Sequence, residues 1–241
     1  MKSFLARRNP LAVLAVTLGL LAPALVSFDH PTPLVFMGLA LFNLFALGRV
    51  RLGRAAAVLG PLSLLPFGLL ALNLLFHREG FAAGLRLGSV LFLRAEALIV
   101  ISMSFALLVR PLELVNALMQ QLGMPARIGY SIYAGWNALP LLRRDMAVIG
   151  RAHAIRSGGR KRGPRELPRS AVTLLAGAVR HAERLSLSMS ARGLEQAGPR
   201  SFYRESRWTA ADTAYSAAGC LLAAAAFLVL LSNGAFIFDL G

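Results

Sequence analysis

Residues 142–159 read LRRDMAVIGRAHAIRSGG and residues 168–194 read PRSAVTLLAGAVRHAERLSLSMSARGL, and each is patterned as an amphipathic helix ending in an arginine. In the first, Leu142, Met146, Ile149, Ala152 and Arg156 recur every three or four residues, the spacing that gathers side chains on one helical face. Gly158 and Gly159 then stop it. In the second, Leu175, Ala178, Ala182, Leu185 and Met189 form the same kind of stripe and Arg192 continues it. Gly193 stands where a left-handed cap residue ends a helix, so Arg192 falls in the last turn and points off the helix end. A cation there gains roughly 0.3–1 kcal/mol from the helix dipole, which by itself explains many such arginines. The pairing is what singles these two out. Both end an apolar stripe, both precede small residues, and both lie in the most basic part of the chain.

Composition sets the surroundings of that stretch. The 241 residues are 56% hydrophobic and only 15% charged, whereas a soluble domain carries about 25% charged residues. The chain is therefore read as an integral membrane protein. Its net charge of +15 would suit nucleic acid, but in a polytopic protein basic residues mark the cytoplasmic loops that face anionic lipid, and no nucleic-acid partner is expected. A single cysteine, Cys220, excludes an intrachain disulfide, and His30, His77, His153 and His181 lie too far apart in sequence to suggest a metal site.

In chain order, MKSFLARRNP precedes an apolar run from Leu11 to Phe28. Its Ala22-Pro23-Ala24 allows a cleaved signal peptide, although the spans that follow favour a retained helix. Leu34 to Leu47 is a second, short span, followed by the basic loop of Arg49, Arg51 and Arg54. The third span, Ala55 to Phe76, is interrupted by Pro61 and Pro66, and the fourth, Leu87 to Val109, contains Arg94 and Glu96, read as packed against another helix or a partner. Pro111 onward is a short amphipathic helix. Ala126 to Pro140, with Tyr130, Tyr133 and Trp136, reads as a segment skirting the membrane boundary. The residues from Gly158 to Leu167 form a Gly/Arg/Pro linker, and the last span runs from about Thr209 to Leu231.

Charge fixes the expected orientation. Lys2, Arg7 and Arg8 precede the first span, Arg49, Arg51 and Arg54 follow the second, and the region from Arg110 to Arg207 holds the largest group of basic residues. Five spans with the amino terminus inside put all of these on the cytoplasmic side of a bacterial membrane, with Ser201 inside and Asp239 outside. The reading is an all-α polytopic membrane protein with about five transmembrane helices plus cytoplasmic coupling helices. Residues 1–109 form a four-span region, 110–207 a basic coupling-helix region, and 208–241 the last span and an outer tail. No catalytic constellation emerges: GGRKRG at Gly158 to Gly163 lacks the lysine-hydroxyl ending and preceding strand of a phosphate loop.

On these residues the chain resembles the transmembrane (T) component of energy-coupling factor importers, the CbiQ/EcfT family. The likeness rests on Pro111-Leu112-Glu113, on Leu139-Pro140-Leu141-Leu142, and above all on two Ala-Arg-Gly-type signatures. Ala191-Arg192-Gly193 fits well; Ile155-Arg156-Ser157 departs, with isoleucine for alanine and serine for glycine. The resemblance implies a non-catalytic subunit of a vitamin or metal-ion importer. Two ABC-type ATPases supply ATP and Mg chemistry, each gripped by one arginine, and a separate S component captures the substrate. No cofactor is implied in this subunit. An ordinary ABC permease subunit and a non-transport scaffold are the alternatives; the paired arginine-ended helices and the scarcity of polar span residues argue against the permease, and a scaffold would need no ATPase.

Overall fold

A computed structural model describes residues 8–77, 80–156, 166–194 and 202–232. Ser157, Ser201 and Asp239, which carry expectations above, lie outside the described residues. Among the described residues every regular element is a helix: α1 (Pro10–Val26), α2 (Pro31–Phe42, continued by a π-helical turn Asn43–Leu47), α3 (Leu52–Leu62), α4 (Leu64–Phe76), α5 (Phe81–Leu108), α6 (Pro111–Gln121), α7 (Ala126–Arg156), α8 (Glu166–Ala191) and α9 (Ala210–Ser232). They fall into two compact units, one of Met1–Ala117 with Ser206–Gly241, the other of Leu118–Glu205.

In the first unit, three stretches are long and apolar enough to cross a membrane: Leu52–Phe76, Phe81–Leu108 and Ala210–Ser232. Pro10–Val26 and Pro31–Leu47 are shorter apolar helices. At 1.5 Å per residue a 17-residue helix is about 26 Å long, just under the ~30 Å hydrocarbon core. The third span is two helices, because Pro66 at the third position of α4 has no N–H to return to the carbonyl of Leu62. Ser63 fills the break: its hydroxyl hydrogen-bonds the Leu59 carbonyl (3.1 Å) and Glu96 Oε1 (2.6 Å). Glu96 thus has a structural partner at the break between α3 and α4, while its Oε2 is buried without one among the described residues. Arg94 donates to the Leu25 carbonyl at the open end of α1 and lies over the Phe28 ring, 4.6 Å from its centroid. A cation at a helix carboxyl end is favourably placed.

The core of this unit gathers Val16 and Leu20 of α1, Phe36 and Ala40 of α2, Val100 and Ile101 of α5, and Ala223 and Leu230 of α9. Glycines set the closest approaches. A Cβ at Gly84 would stand 2.5 Å from the Asn73 carbonyl, and one at Gly219 would stand 2.6 Å from Val16 Cγ2. Gly84 and Gly88 form a small-residue pair four apart on α5, the pattern that lets membrane helices touch backbone to side chain, here with α4.

A buried carboxylate ties the ends of the unit together. Asp212, 1% exposed, accepts the Thr209 N–H and hydroxyl on Oδ2 (2.9 and 2.6 Å), the carboxylate half of a capping box at the start of α9. Its Oδ1 accepts the Asn9 N–H (3.0 Å), with Arg8 Nη1 at 3.8 Å. Asn9 in turn caps α1 by accepting the Leu11 N–H and donates to Ser206. The first and last helices therefore begin side by side and run in the same direction. Asp212→Ala strands these donors in a dry site and should cost roughly 2–5 kcal/mol, lowering the thermal midpoint in detergent; Asp212→Asn, which keeps an acceptor, should cost less. Equal midpoints for wild type and Asp212→Ala would remove this carboxylate from its structural role.

Candidate functional site

The second unit holds α7 and α8, the two arginine-ended helices. α7 does not begin at Leu142, as the sequence reading has it. It runs unbroken from Ala126 through Pro140 to Arg156, so the aromatic segment and the first stripe are one 31-residue helix about 46 Å long. The reason is local. Proline already has a helical φ, and the single donor it removes here does not offset the bonds on either side. Tyr130 and Tyr133 pack together within this helix, ring centroids 6.4 Å apart. α8 starts at Glu166, two residues before Pro168, inside the stretch read as linker. Pro168 then sits in the first turn, where the missing N–H has no helical partner to lose.

The two helices pack against each other, and a cleft of about 320 Å³ opens between the first half of α7 and the second half of α8. Arg127, Ala138 and Leu142 line one wall; Ala178, His181, Leu185 and Met189 line the other. Small residues keep the wall low on both sides. Because the amino-terminal half of one helix faces the carboxyl-terminal half of the other, they run in opposite directions.

Each stripe is divided by this pairing. Leu142 and Ile149 on α7, and Ala178, Leu185 and Met189 on α8, are partly covered. Met146, Ala152, Leu175 and Ala182 are exposed, as are Val172, Val179 and Leu187. A stripe read as one contact face is thus two: one side closes the hairpin and the other remains open.

The arginines stand at opposite ends. Arg156 closes α7, with Ile155 beside it 81% exposed; Ser157 lies outside the described residues. Arg192 follows Ala191 at the end of α8. Gly193 has φ 78°, its N–H bonds the Ser190 carbonyl (2.9 Å), and the Leu194 N–H reaches back to Met189 (3.1 Å). These are the two bonds of a Schellman cap, and only a residue at ease with positive φ completes it. Arg156, Ala191 and Arg192 are exposed, and among the described residues neither guanidinium has a partner. Given the helix lengths, the two lie on the order of 40 Å apart.

The sequence reading passed over two features that the structure uses. The Gly84/Gly88 pair was visible as a G-x-x-x-G in an apolar helix, and Thr209/Asp212 as a T-x-x-D at a helix start. Neither pattern names its tertiary partner.

The cap yields a direct test. Gly193→Ala forces a Cβ into the left-handed region, costing about 1–2 kcal/mol, so amides from Arg192 to Leu194 should exchange with deuterium several-fold faster. Asn tolerates that backbone, so Gly193→Asn should exchange nearly as wild type. Identical exchange in all three would mean that the cap does not hold the Arg192 end.

Comparison with known proteins agrees with this geometry. Residues 1–203 match the family model described as CbiQ, cobalt transport protein. The energy-coupling factor transporter transmembrane protein EcfT of Exiguobacterium sibiricum is 29% identical over 237 residues, covering 85% of this chain and 89% of that protein. A Bifidobacterium longum protein named as an ABC transporter ATP-binding protein is 27% identical over 223 residues, covering 88% of this chain; the chain spans only 27% of that relative's length. With membrane-compatible helices in one unit and a helical hairpin in the other, and a family match over most of its length, the chain belongs to the CbiQ cobalt transport protein family.

Proposed function

We propose that this chain is the T component of an energy-coupling factor importer for a vitamin or metal ion, carrying the ATP-driven movement of two ABC-type ATPases to a substrate-binding S component. The observation that carries the reading is the hairpin itself. Two arginines without a partner among the described residues stand at its opposite ends, roughly 40 Å apart, too far for one small groove and suitably spaced for one grip on each of two ATPases. A guanidinium entering a groove donates to several carbonyls or carboxylates at once. The exposed halves of the stripes, with Met146 and Leu175, supply apolar contact around each grip, and a methionine tolerates a surface that shifts during the cycle. The Bifidobacterium longum relative adds support, since its match to this chain occupies part of a longer protein named as ATP-binding.

The amino terminus is assigned to the cytoplasmic face, because the basic loops belong there. The parallel start of α1 and α9 then puts the residues before α9 on that face as well, where they meet anionic lipid. ATP and Mg belong to the partner ATPases.

Two experiments test this. Uptake and co-purification of ATPases are measured for Arg156→Ala, Arg192→Ala and the double variant at matched expression. A coupled pair predicts that each single variant loses most uptake and that the double is little worse, since truncating a buried grip costs about 2–5 kcal/mol. Cations that merely served the helix dipole would leave transport near normal. A defect in Arg192→Ala alone would show that Ile155-Arg156-Ser157 is a degenerate signature. For orientation, cysteines at Tyr203 and Ser232, in a chain with Cys220 replaced by serine, should react oppositely with an impermeant thiol reagent: only Ser232→Cys labels in intact cells. Labelling of Tyr203→Cys in intact cells would reverse the assignment.

A further inference from the structure

Four arginines edge one cleft in the first unit. Arg49 and Arg51 come from the turn between α2 and α3, Arg54 from the first turn of α3, and Arg110 from the step between α5 and α6; the cleft is about 580 Å³, with Leu108 and Val109 in its wall. Arg110 is ion-paired to Glu113 at 3.0 Å. The other three are exposed and have no partner among the described residues.

The chain is built to hold this concentration of charge in place. Gly48 is buried, and any Cβ there would strike Leu108 and the Leu44 carbonyl, so the turn after α2 lies directly on the end of α5. Arg49 has φ 49°, a left-handed backbone uncommon outside glycine, asparagine and aspartate. That conformation reverses the chain at once, so that Arg49 and Arg51 both reach the same cleft.

Like charges so arranged repel unless an anion with several oxygens sits among them, and the planar guanidinium fork matches phosphate. The wall chooses the kind of phosphate. Leu108 ends a membrane-length helix, and Leu52, beside Arg51, begins another and is 72% exposed. An anion that fits both parts is a phosphate joined to an apolar body.

We propose that this cleft is a binding site for the phosphate of an anionic glycerophospholipid, with its acyl chains passing along the apolar starts of α3 and the end of α5. The site requires only that the chain spans a membrane; it depends neither on the ATPase grip nor on which face is cytoplasmic, so failure of either leaves the other untouched.

The test uses the full chain in nanodiscs of phosphatidylcholine containing a minor share of phosphatidylglycerol, with retained lipid identified by native mass spectrometry. Wild type should enrich phosphatidylglycerol, and added salt should erode that enrichment. Each arginine lost should weaken it about five-fold, so a variant with Arg49, Arg51 and Arg54 all changed to glutamine should lose it. A charge-matched control with Arg86, Arg143 and Arg144 changed to glutamine should keep it. Unfolding midpoints in phosphatidylcholine alone check that the variants fold, and where the triple variant does not, Arg54→Gln and the wild-type salt series decide. Equal retention of the two lipids, equal loss in the control, or indifference to salt overturns the proposal. An inorganic phosphate arm separates the sources: displacement of phosphatidylglycerol by phosphate that itself stays bound would assign the cleft to a free anion instead of a lipid.

Discussion

Asp212 receives hydrogen bonds from residues at both ends of the first unit, and the order of that unit depends on it. A carboxylate 1% exposed is tolerable only because its oxygens accept from Asn9 and Thr209, with Arg8 close by. The consequence is directional. Because the Asn9 N–H and the Thr209 donors share one carboxylate, α1 and α9 start at the same level, and the approaches of Gly19 to Cys220 and of Gly219 to Val16 show that they run in parallel.

Within the membrane-compatible helices polar groups are few, and several meet a backbone irregularity or a partner. Ser63 and Glu96 meet at the break between α3 and α4, and Arg94 meets the open carbonyl end of α1. Asn43, at the start of the π-helical turn, exchanges hydrogen bonds with Tyr215 of α9 (2.7 and 3.1 Å). With no water to satisfy them in hydrocarbon, such groups must find one another. Glycine then does what hydrophobicity cannot do in lipid: at Gly84, Gly88 and Gly219 it removes the Cβ that would keep helices apart, so that van der Waals contact holds them.

The hairpin of the second unit follows a different logic. Each stripe is only partly covered by the facing helix, and its open part leads toward an arginine that has no partner among the described residues. In a soluble protein such exposure would be a liability. On the proposed function that open side is the contact surface, and the Schellman cap at Gly193 fixes where α8 ends.

Much of this was legible in the sequence, and the remainder was not, for definable reasons. Apolar runs and periodicity determined that the chain is helical and membrane-bound, where Arg156 and Arg192 stand, and that Gly193 caps α8, because these are local properties of spacing and of a missing Cβ. Periodicity reports which residues share a face but not what covers it, so only the packing of α7 on α8 separated Leu142 and Ile149 from Met146 and Ala152. The aromatic segment ending at Pro140 and the stripe beginning at Leu142 differ in composition, which does not show the bonds on either side of Pro140 that carry one helix through. The link from Asn9 to Asp212 spans 203 positions, and the cleft joins Arg49 to Arg110. Tertiary structure alone decided these, because a hydrogen bond or a shared cleft between distant segments leaves no repeat in the sequence that forms it.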